Sequence, residues 1–324
     1  MNISSSLKNN INNLIKDEFD IVRNNLISID FNDDYINKLV NEVTITSQKG
    51  KLLRPILTLL IGNFSPNKNS LIKEKIINMA VAIELLHTAS LVHDDIVDKA
   101  THRRGEKSFN SNHGDDMAVM MGDILFAKSA TFVCDTNNIH VVNKFANTIV
   151  DLSTGQLLEM QSRNNYSQTQ KEYLYRIRKK TSSLFETAAW SGGILSDFDK
   201  SHCDMLKIYA ENLGYAFQIF DDIKDFSETE NYSLTGKNPG IDIANGIFTL
   251  PVIISLNDKQ NNPFLNSTDQ INMKNAKDYL DSNGYMKQSI DIGNEYIFSA
   301  KNSLKLFSNS DLKYLLCEIA DSIN

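Results

Sequence analysis

The stretch Ala82–Gly105 constrains the fold of this chain more than any other, because an almost wholly apolar helical run leads directly into an acidic cluster and two arginines. At 3.6 residues per turn, Asp94 and Asp98 share one helix face, roughly 5–6 Å apart at Cβ. Carboxylates this close repel each other, so a cation has to compensate. Mg²⁺ prefers such oxygen ligands and commonly bridges to substrate phosphates. The guanidinium groups of Arg103 and Arg104 suit bidentate phosphate binding.

The same arrangement recurs at Gly214–Phe226, where an apolar helical run leads into Asp221, Asp222 and Asp225. Four Asp-Asp doublets occur in the chain, but only the doublets at 94 and 221 carry a further aspartate four residues after the first. Only these two follow long apolar runs. A single cluster is equally typical of a solvated helix end. Two clusters in matching context predict a multi-metal site that grips a diphosphate.

The two clusters resemble the aspartate-rich DDxxD motifs of the trans-isoprenyl diphosphate (polyprenyl) synthases, and the similarity runs from about residue 50 to residue 251. The resemblance implies a medium- or long-chain prenyltransferase that condenses isopentenyl diphosphate with an allylic diphosphate into an all-trans polyprenyl diphosphate. The reaction would proceed by ionisation, condensation and elimination. It also implies three Mg²⁺ ions per active site, held by Asp94, Asp95, Asp98, Asp221, Asp222 and Asp225.

The resemblance further implies which residues bind the two substrates. Isopentenyl diphosphate would contact Lys51, Arg54, His87 and Arg104. The allylic diphosphate would contact Arg103, Lys180, Thr181, Gln218 and Lys237. The catalytic residues would be those that stabilise the departing diphosphate: Asp94, Asp98, Asp221, Lys180 and Arg103. The chain departs from the family pattern at two positions. Lys49 stands where many members have a glycine, and Ile247 stands where many have a lysine. The contact that this lysine makes in the family is therefore not expected here.

Product length is predicted from the side chains below the first motif. Ala89 and Ser90 lie about 6–7.5 Å from Asp94 along the helix axis. Short-chain family members often carry an aromatic residue near these positions as the floor of the cavity. Two small side chains instead predict an open tunnel and a product longer than C20. On this hypothesis, replacing Ala89 with Tyr or Phe should shorten the product.

Helix-breaking residues are scarce, with only 5 Pro and 14 Gly in 324 residues, and 41% of the chain is apolar. No linker, low-complexity tract or fixed-period repeat divides it. This composition predicts an all-α fold in a single domain over residues 1–324. The resemblance narrows the prediction to a helical bundle of the isoprenoid synthase type around a central cavity. Residues 1–46 read as two amphipathic helices for core packing or dimer contact.

The charge and cysteine content exclude other classes of protein. A net charge of −7 argues against a nucleic-acid binder, which needs a basic face. Three scattered cysteines without a CxxC pair predict neither a disulfide framework nor a zinc site. No apolar run of about 18 residues stands out as a membrane span. We therefore expect a cytoplasmic protein. The resemblance to the synthase family adds the expectations of a homodimer, of peripheral membrane contact for product release and of a small partner subunit.

Two alternatives remain open at this level. The doublet His93-Asp94 is compatible with a metal-dependent phosphohydrolase of the HD type, although that class does not explain the arginines or the second cluster. The chain also fits a catalytic subunit that is inactive without a partner. A terpene cyclase would share the cavity but has no use for the predicted isopentenyl-binding residues.

Overall fold

Helices supply nearly all of the regular structure in residues 5–67, 69–226, 241–259, 262–266, 273–305, 307 and 310–324, which the computed structural model describes. The predicted all-α class is confirmed. The first half contains α1 (Ser5–Ile27), α2 (Asp34–Gln48), α3 (Leu53–Asn63), α4 (Ser70–Val97), β1 (His102–Arg103), β2 (Glu106–Lys107), α5 (Phe109–His113), α6 (Asp115–Cys134) and α7 (Ile139–Gln161). The second half contains α8 (Gln170–Ile177), a π-helical turn (Arg178–Ser182), α9 (Ser183–Leu195), α10 (Lys200–Lys224), α11 (Ile241–Ala244), α12 (Leu250–Ser255), α13 (Pro263–Asn266), α14 (Met273–Ser282), α15 (Tyr285–Ser303) and α16 (Asp311–Asp321).

Helix α4 is the centre of the main core. Residues 79 to 86 are at most 1% exposed, so the middle of this helix is buried on every side. A helix that is apolar all round belongs in the interior of a large domain. Its neighbours are α3, α6 and α9. The helix ends at Val97, and Lys99 then adopts a left-handed conformation with φ of 51°, which turns the chain into the β1–β2 hairpin.

Helix α10 is the second long central helix and packs against α9 and α15. Asp199 caps its N-terminus by accepting a hydrogen bond from the backbone amide of His202.

Both aspartate clusters lie at the C-terminal ends of buried helices, Asp94 in the last turn of α4 and Asp221 in the last turn of α10. The helix dipole is negative at this end. Carboxylates added there deepen the negative potential and favour bound cations.

Two helices reach the length and apolarity of a membrane span, contrary to the prediction from the sequence. In α4, 72% of the apolar window is buried inside the protein, as expected of a core helix. In α6 only 33% of the window is buried, so much of that helix presents an apolar surface. Met120, for example, is 56% exposed. Scattered polar residues interrupt both helices in the sequence, so neither contains an unbroken apolar run of membrane-spanning length.

Candidate active site

A cavity of about 590 Å³ lies between the ends of α4 and α10 and is lined by aspartates from both motifs. The first motif contributes Asp94 and Asp98, and the second contributes Asp221 and Asp222. Asp242, in α11, lines the same space. The two clusters are 127 positions apart in sequence yet share one cavity.

The middle aspartate of the first motif faces a different way. Asp95 is 4% exposed, does not line the cavity, and accepts hydrogen bonds from Arg103 Nε at 3.0 and 3.2 Å. Arg103 itself reaches the cavity wall from the β1–β2 hairpin. Asp95 therefore holds an arginine that faces the cavity. Asp98 also has a cation, since Arg163 Nη2 lies 3.1 Å from its Oδ1.

Burial makes the first motif electrostatically unfavourable in the absence of a ligand. Burial raises the pKa of Asp94 to about 6. The negative charges of Glu159 and Asp98 raise this pKa further, whereas the positive charge of Lys180 lowers it. The pKa of Asp98 is also raised, again chiefly by burial. Two partly desolvated carboxylates that ionise reluctantly alone will ionise readily beside a divalent cation. The electrostatics therefore fit a cation site.

The second motif sits in a chain of hydrogen bonds. Asp222 is 6% exposed, and accepts hydrogen bonds from the hydroxyl of Tyr173 and the side-chain amide of Gln218, each at 2.7 Å. Gln218 in turn accepts one from the Thr181 hydroxyl at 2.6 Å. Burial nevertheless raises the pKa of Asp222 to about 7, although both hydrogen bonds lower it. Asp221 is exposed on the cavity wall.

Asp225 follows the last residue of α10 and is not among the residues that line the cavity. Asp98 is likewise the last aspartate of its motif, but it does line the cavity. The two motifs therefore differ in where their last carboxylate lies. Lys237, predicted from the family resemblance, lies outside the described residues.

Lys180 and Thr181 reach the cavity from the π-helical turn. Lys180 pairs with Glu159 across from α7. Burial lowers the pKa of Lys180, but Glu159 and Asp94 outweigh that effect and raise it, so the ammonium stays charged. The turn packs directly on Gly155, where a Cβ would overlap the backbone of Lys180. The absence of a side chain at Gly155 thus allows Lys180 to approach the first motif.

The cavity also receives the predicted pair Arg54 and His87. Arg54 Nη1 lies 3.3 Å from His87 Nε2, and its guanidinium stacks 4.3 Å above the ring of Phe185. Burial keeps the pKa of His87 well below its usual value, so the neutral ring accepts this hydrogen bond. Burial also lowers the pKa of Arg54, to about 10, which still leaves it charged at neutral pH.

Arg104 and Lys51 stand beside this pair without lining the cavity. Arg104 donates hydrogen bonds to the carbonyls of Thr46 and Ser47 at the end of α2. Its guanidinium packs on Gly50, where a Cβ would overlap it. Lys51 precedes α3, because Leu52 adopts a left-handed conformation with φ of 50° and the helix begins only at Leu53.

The departure at Lys49 has a structural explanation. Lys49 is the C-cap of α2 with φ of −69°, an ordinary right-handed conformation that needs no glycine. Its ammonium forms an ion pair with Glu106 of β2, and Glu106 also accepts a hydrogen bond from Thr46 at 2.9 Å. These contacts fasten the hairpin that carries Arg103 and Arg104 to the end of α2.

The rest of the cavity wall is largely apolar. Ser90 lines it, but Ala89 is fully buried and is not part of the lining. The prediction that both positions border the tunnel therefore holds for only one of them, because adjacent helical residues point about 100° apart. Further lining side chains come from four other helices: Phe126, Leu152, Ser153, Leu157, Met160, Leu184 and Phe217.

Several cavity residues had no sequence motif to reveal them. Arg176 of α8 lines the cavity, whereas Tyr173 of the same helix is fully buried outside the lining and donates a hydrogen bond to Asp222. Thr249 and Ile247 line the cavity from the segment before α12. Gln156 and Glu159, which are spaced i,i+3 in α7, also line it. Helical periodicity supplies the signal for Gln156 and Glu159, but nothing in the local sequence distinguishes Tyr173.

No group of three or more His, Cys, Asp or Glu side chains within the described ranges forms a ready-made metal cage. The ring of His93 donates from Nε2 to the Val119 carbonyl at 3.1 Å. Because this nitrogen donates to a carbonyl, it is not available as the metal ligand that an HD-type phosphohydrolase would need. Hard oxygen donors at two facing helix ends instead fit Mg²⁺, which is usually bound by one or two carboxylates plus substrate phosphates.

The family model for polyprenyl synthetase matches residues 35–282. The chain belongs to the polyprenyl synthetase family. Within this family, a prenyl transferase of Cyanidium caldarium is 33% identical over 311 residues, which cover 92% of this chain and 94% of the relative. Component 2 of the Geobacillus stearothermophilus heptaprenyl diphosphate synthase is 34% identical over 211 residues, 65% of this chain and 64% of the relative.

Solved structures agree with this membership. A Caulobacter crescentus polyprenyl synthase complexed with calcium and isoprenyl diphosphate superposes with a TM-score of 0.87 at 26% identity, covering 97% of this chain and 96% of that one. The Staphylococcus aureus heptaprenyl diphosphate synthase gives 0.86 at 26% identity, with 97% of each chain covered. This polyprenyl synthetase is therefore an enzyme with prenyl transferase relatives, and its fold class is that of the isoprenyl synthases.

Proposed function

We propose that the enzyme condenses isopentenyl diphosphate with an allylic diphosphate to give an all-trans polyprenyl diphosphate. The observation that carries the proposal is the shared cavity: aspartates of both helix ends, the Arg54–His87 pair and an apolar wall all line the same space. Such a cavity suits two charged diphosphates at one end and a growing hydrocarbon at the other. Holding both substrates together converts a bimolecular encounter into a nearly unimolecular step.

Asp94, Asp98, Asp221 and Asp222 are the residues that would hold magnesium. Bound Mg²⁺ would supply positive charge where the departing diphosphate develops negative charge. Asp95 serves a different purpose in this proposal, because it orients Arg103 toward the cavity from the other side of α4. The relative from Caulobacter crescentus, complexed with calcium and isoprenyl diphosphate, supports a divalent cation beside the diphosphate.

Lys180, Thr181 and Arg103 would bind the allylic diphosphate. Lys180 keeps its charge through Glu159 and Asp94, and the charged ammonium stabilises the leaving group as the C–O bond breaks. The hydrogen bonds from Thr181 to Gln218 and from Gln218 to Asp222 fix this side of the cavity. The released diphosphate would then accept the proton lost from the condensed product.

Arg54, His87 and Arg104 would bind isopentenyl diphosphate, with Lys51 close by. Arg54 is held between the neutral His87 ring and Phe185, so its remaining N–H groups are preorganised for an anion. Burial is the main cause that lowers the pKa of Lys51. Lys51 is also near enough to Lys224 and Asp221 for both charges to affect this pKa. This proximity supports its assignment to the same end of the cavity.

A product longer than C20 is the finer part of the proposal. Ser90 presents a small side chain to the cavity, and the apolar wall continues through Leu152, Leu157 and Met160. The relatives named above include two heptaprenyl diphosphate synthases, whose product is longer than C20. Phe126 is the one aromatic side chain that α6 contributes to the described lining.

A homodimer is proposed from an exposed stripe on α7, with alternating spacings of four and three residues. Its members are Ile139, Asn143, Ala146, Val150, Ser153, Leu157 and Met160. Val150 and Leu157 are 63% and 66% exposed. This spacing is that of a helix seam between two chains. The alternative is a small partner subunit on the same stripe, as the name of the relative called component 2 suggests.

Assaying the purified chain alone with farnesyl diphosphate, isopentenyl diphosphate and Mg²⁺ tests the function. We expect chain elongation that stops when Mg²⁺ is chelated, with products longer than C20. Phosphate release from nucleotides without any isoprenoid product would overturn the proposal. Activity that appears only when a second polypeptide is added would instead favour the heteromeric alternative.

A further inference from the structure

Arg176 is a charged residue in the cavity wall that the proposed reaction leaves without a role. It belongs to α8, is 3% exposed, and lines the cavity together with Asp222, Ile247 and Thr249. Its charge is near enough to Asp222 to lower that carboxyl's pKa, although burial has the larger, opposite effect. A buried arginine costs several kcal/mol in desolvation unless an anion compensates.

The partners of Arg176 in the described structure are all neutral. Nη1 donates to the hydroxyl of Ser162 at 2.7 Å, and Nη2 donates to the carbonyl of Phe248 at 3.1 Å. Nε is buried and has no hydrogen-bond partner. A guanidinium has five N–H donors. Two hydrogen bonds therefore leave most of its donors available to a further acceptor.

The other arginines of the cavity give a comparison. Arg103 is neutralised by Asp95. Arg54 and Arg176, by contrast, form no ion pair with any described residue, and both are buried. Arg54 stands at the α3 side with His87, whereas Arg176 stands at the α8 side, one helical turn before Lys180. A cavity suited to two diphosphates thus has, at each side, one guanidinium that forms no ion pair with a described residue.

We propose that Arg176, which lines the cavity, binds the diphosphate of the allylic substrate through guanidinium N–H groups that its two hydrogen bonds leave available. The inference rests on the proposed function for the presence of that diphosphate. It assigns Arg176 to the allylic rather than the isopentenyl side because Arg176 acts electrostatically on Asp222 and precedes Lys180 and Thr181 by about one turn. Arg54 and His87, by contrast, enter the cavity from α3 and α4. The diphosphate is then the anion that compensates the buried charge.

A purely structural role makes different predictions. As a clasp, Arg176 would tie Ser162 at the end of α7 to the Phe248 segment, and Ser162→Ala would reproduce much of its loss. As an anion ligand, Arg176 lowers the stability of the ligand-free protein, because its charge is desolvated without an anion beside it. Removing its charge then leaves the ligand-free melting temperature unchanged or higher, while ligand binding suffers.

The test compares Arg176→Gln and Arg176→Lys with two controls, Lys171→Gln and Ser162→Ala. Lys171 is an exposed cation on the same helix, so its substitution removes the same charge away from the cavity. In steady-state assays we expect Arg176→Gln to raise the KM for farnesyl diphosphate about tenfold or more, as the loss of a charged hydrogen bond does. The KM for isopentenyl diphosphate should stay within about twofold, and Arg176→Lys should recover part of the loss.

A second readout is the rise in melting temperature on adding farnesyl diphosphate with Mg²⁺. We expect Arg176→Gln to lose most of that rise, and both controls to keep it. A full rise in Arg176→Gln, or a lower ligand-free melting temperature shared with Ser162→Ala, would overturn the proposal in favour of a clasp. This readout needs no turnover, so it separates the assignment of Arg176 from failure of the prenyltransferase function, which would appear as an inactive wild type.

Discussion

Arg103 lies between Asp95 and the cavity, with its Nε 3.0 and 3.2 Å from the two carboxylate oxygens of Asp95. Asp95 and its neighbour Asp94 are thus chemically different although they are adjacent in one motif. Asp94 lines the cavity in a desolvated position, whereas Asp95 lies on another side of α4 with a cation in contact. Their substitutions should separate catalysis from stability.

Asp94→Asn should lose turnover by orders of magnitude, because it removes a proposed metal ligand. Its free energy of unfolding should be unchanged or higher, since a buried carboxylate with a raised pKa of about 6 is replaced by a neutral amide. Asp95→Ala should lower the free energy of unfolding by about 3 kcal/mol, the usual cost of breaking a buried pair. Urea denaturation and steady-state kinetics measure both effects. Equal destabilisation by the two variants would contradict this division of roles.

Glu84 should make stability depend on pH. It is 1% exposed, and burial raises its pKa from 4.5 to about 7, against the Ser47 hydroxyl at 2.9 Å and the charges of Arg54 and Arg104. The folded state therefore holds this proton more tightly than the unfolded state. The stabilisation is complete below about pH 4.5 and is lost as the pH rises through about 7.

Glu84→Gln should accordingly flatten the pH profile of unfolding. Between pH 4.5 and 8 the wild type should lose up to about 3 kcal/mol more than the variant, from 1.36 kcal/mol for each unit of pKa shift. Urea denaturation at several pH values measures the difference. Glu74→Gln, in an exposed position on the same helix, is the matched control. A profile of Glu84→Gln that parallels the wild type would rule out this titration.

Ser90→Phe should shorten the product, because residue 90 lines the cavity. Ala89→Phe, which the sequence suggested as the shortening change, should instead overpack the core and destabilise the fold by about 1–3 kcal/mol, since Ala89 is fully buried. Chromatography of the dephosphorylated products and thermal unfolding distinguish the two variants. An unchanged product length in Ser90→Phe would exclude residue 90 from the path of the growing tail.

Val150→Glu should weaken self-association, because it introduces a charge into the exposed stripe of α7. Sedimentation velocity of the wild type should give a dimer that the variant shifts toward the monomer. Ile208→Glu serves as the control, since Ile208 is 49% exposed on a different helix, α10. Equal effects of both changes, or none, would argue against α7 as the seam.

The sequence predicts the backbone of this site better than its side-chain partnerships. Long apolar periodicity followed by aspartates was sufficient to identify the ends of α4 and α10, because those signals are local. The tie from Tyr173 to Asp222 joins residues 49 apart, and local spacing carries no information about it. Periodicity also does not reveal the left-handed residue at Leu52, which separates Lys51 from α3.

Ser153, Leu157 and Met160 belong both to the cavity wall and to the outward stripe of α7. A single mutation at any of these positions would alter the fit of the hydrocarbon and the fit of any subunit docked on that helix. Evolution therefore has little freedom to tune the two properties separately along this surface. Changes of product should be accompanied by changes of quaternary contact, and variation between relatives at these positions should be correlated with that at the docked face.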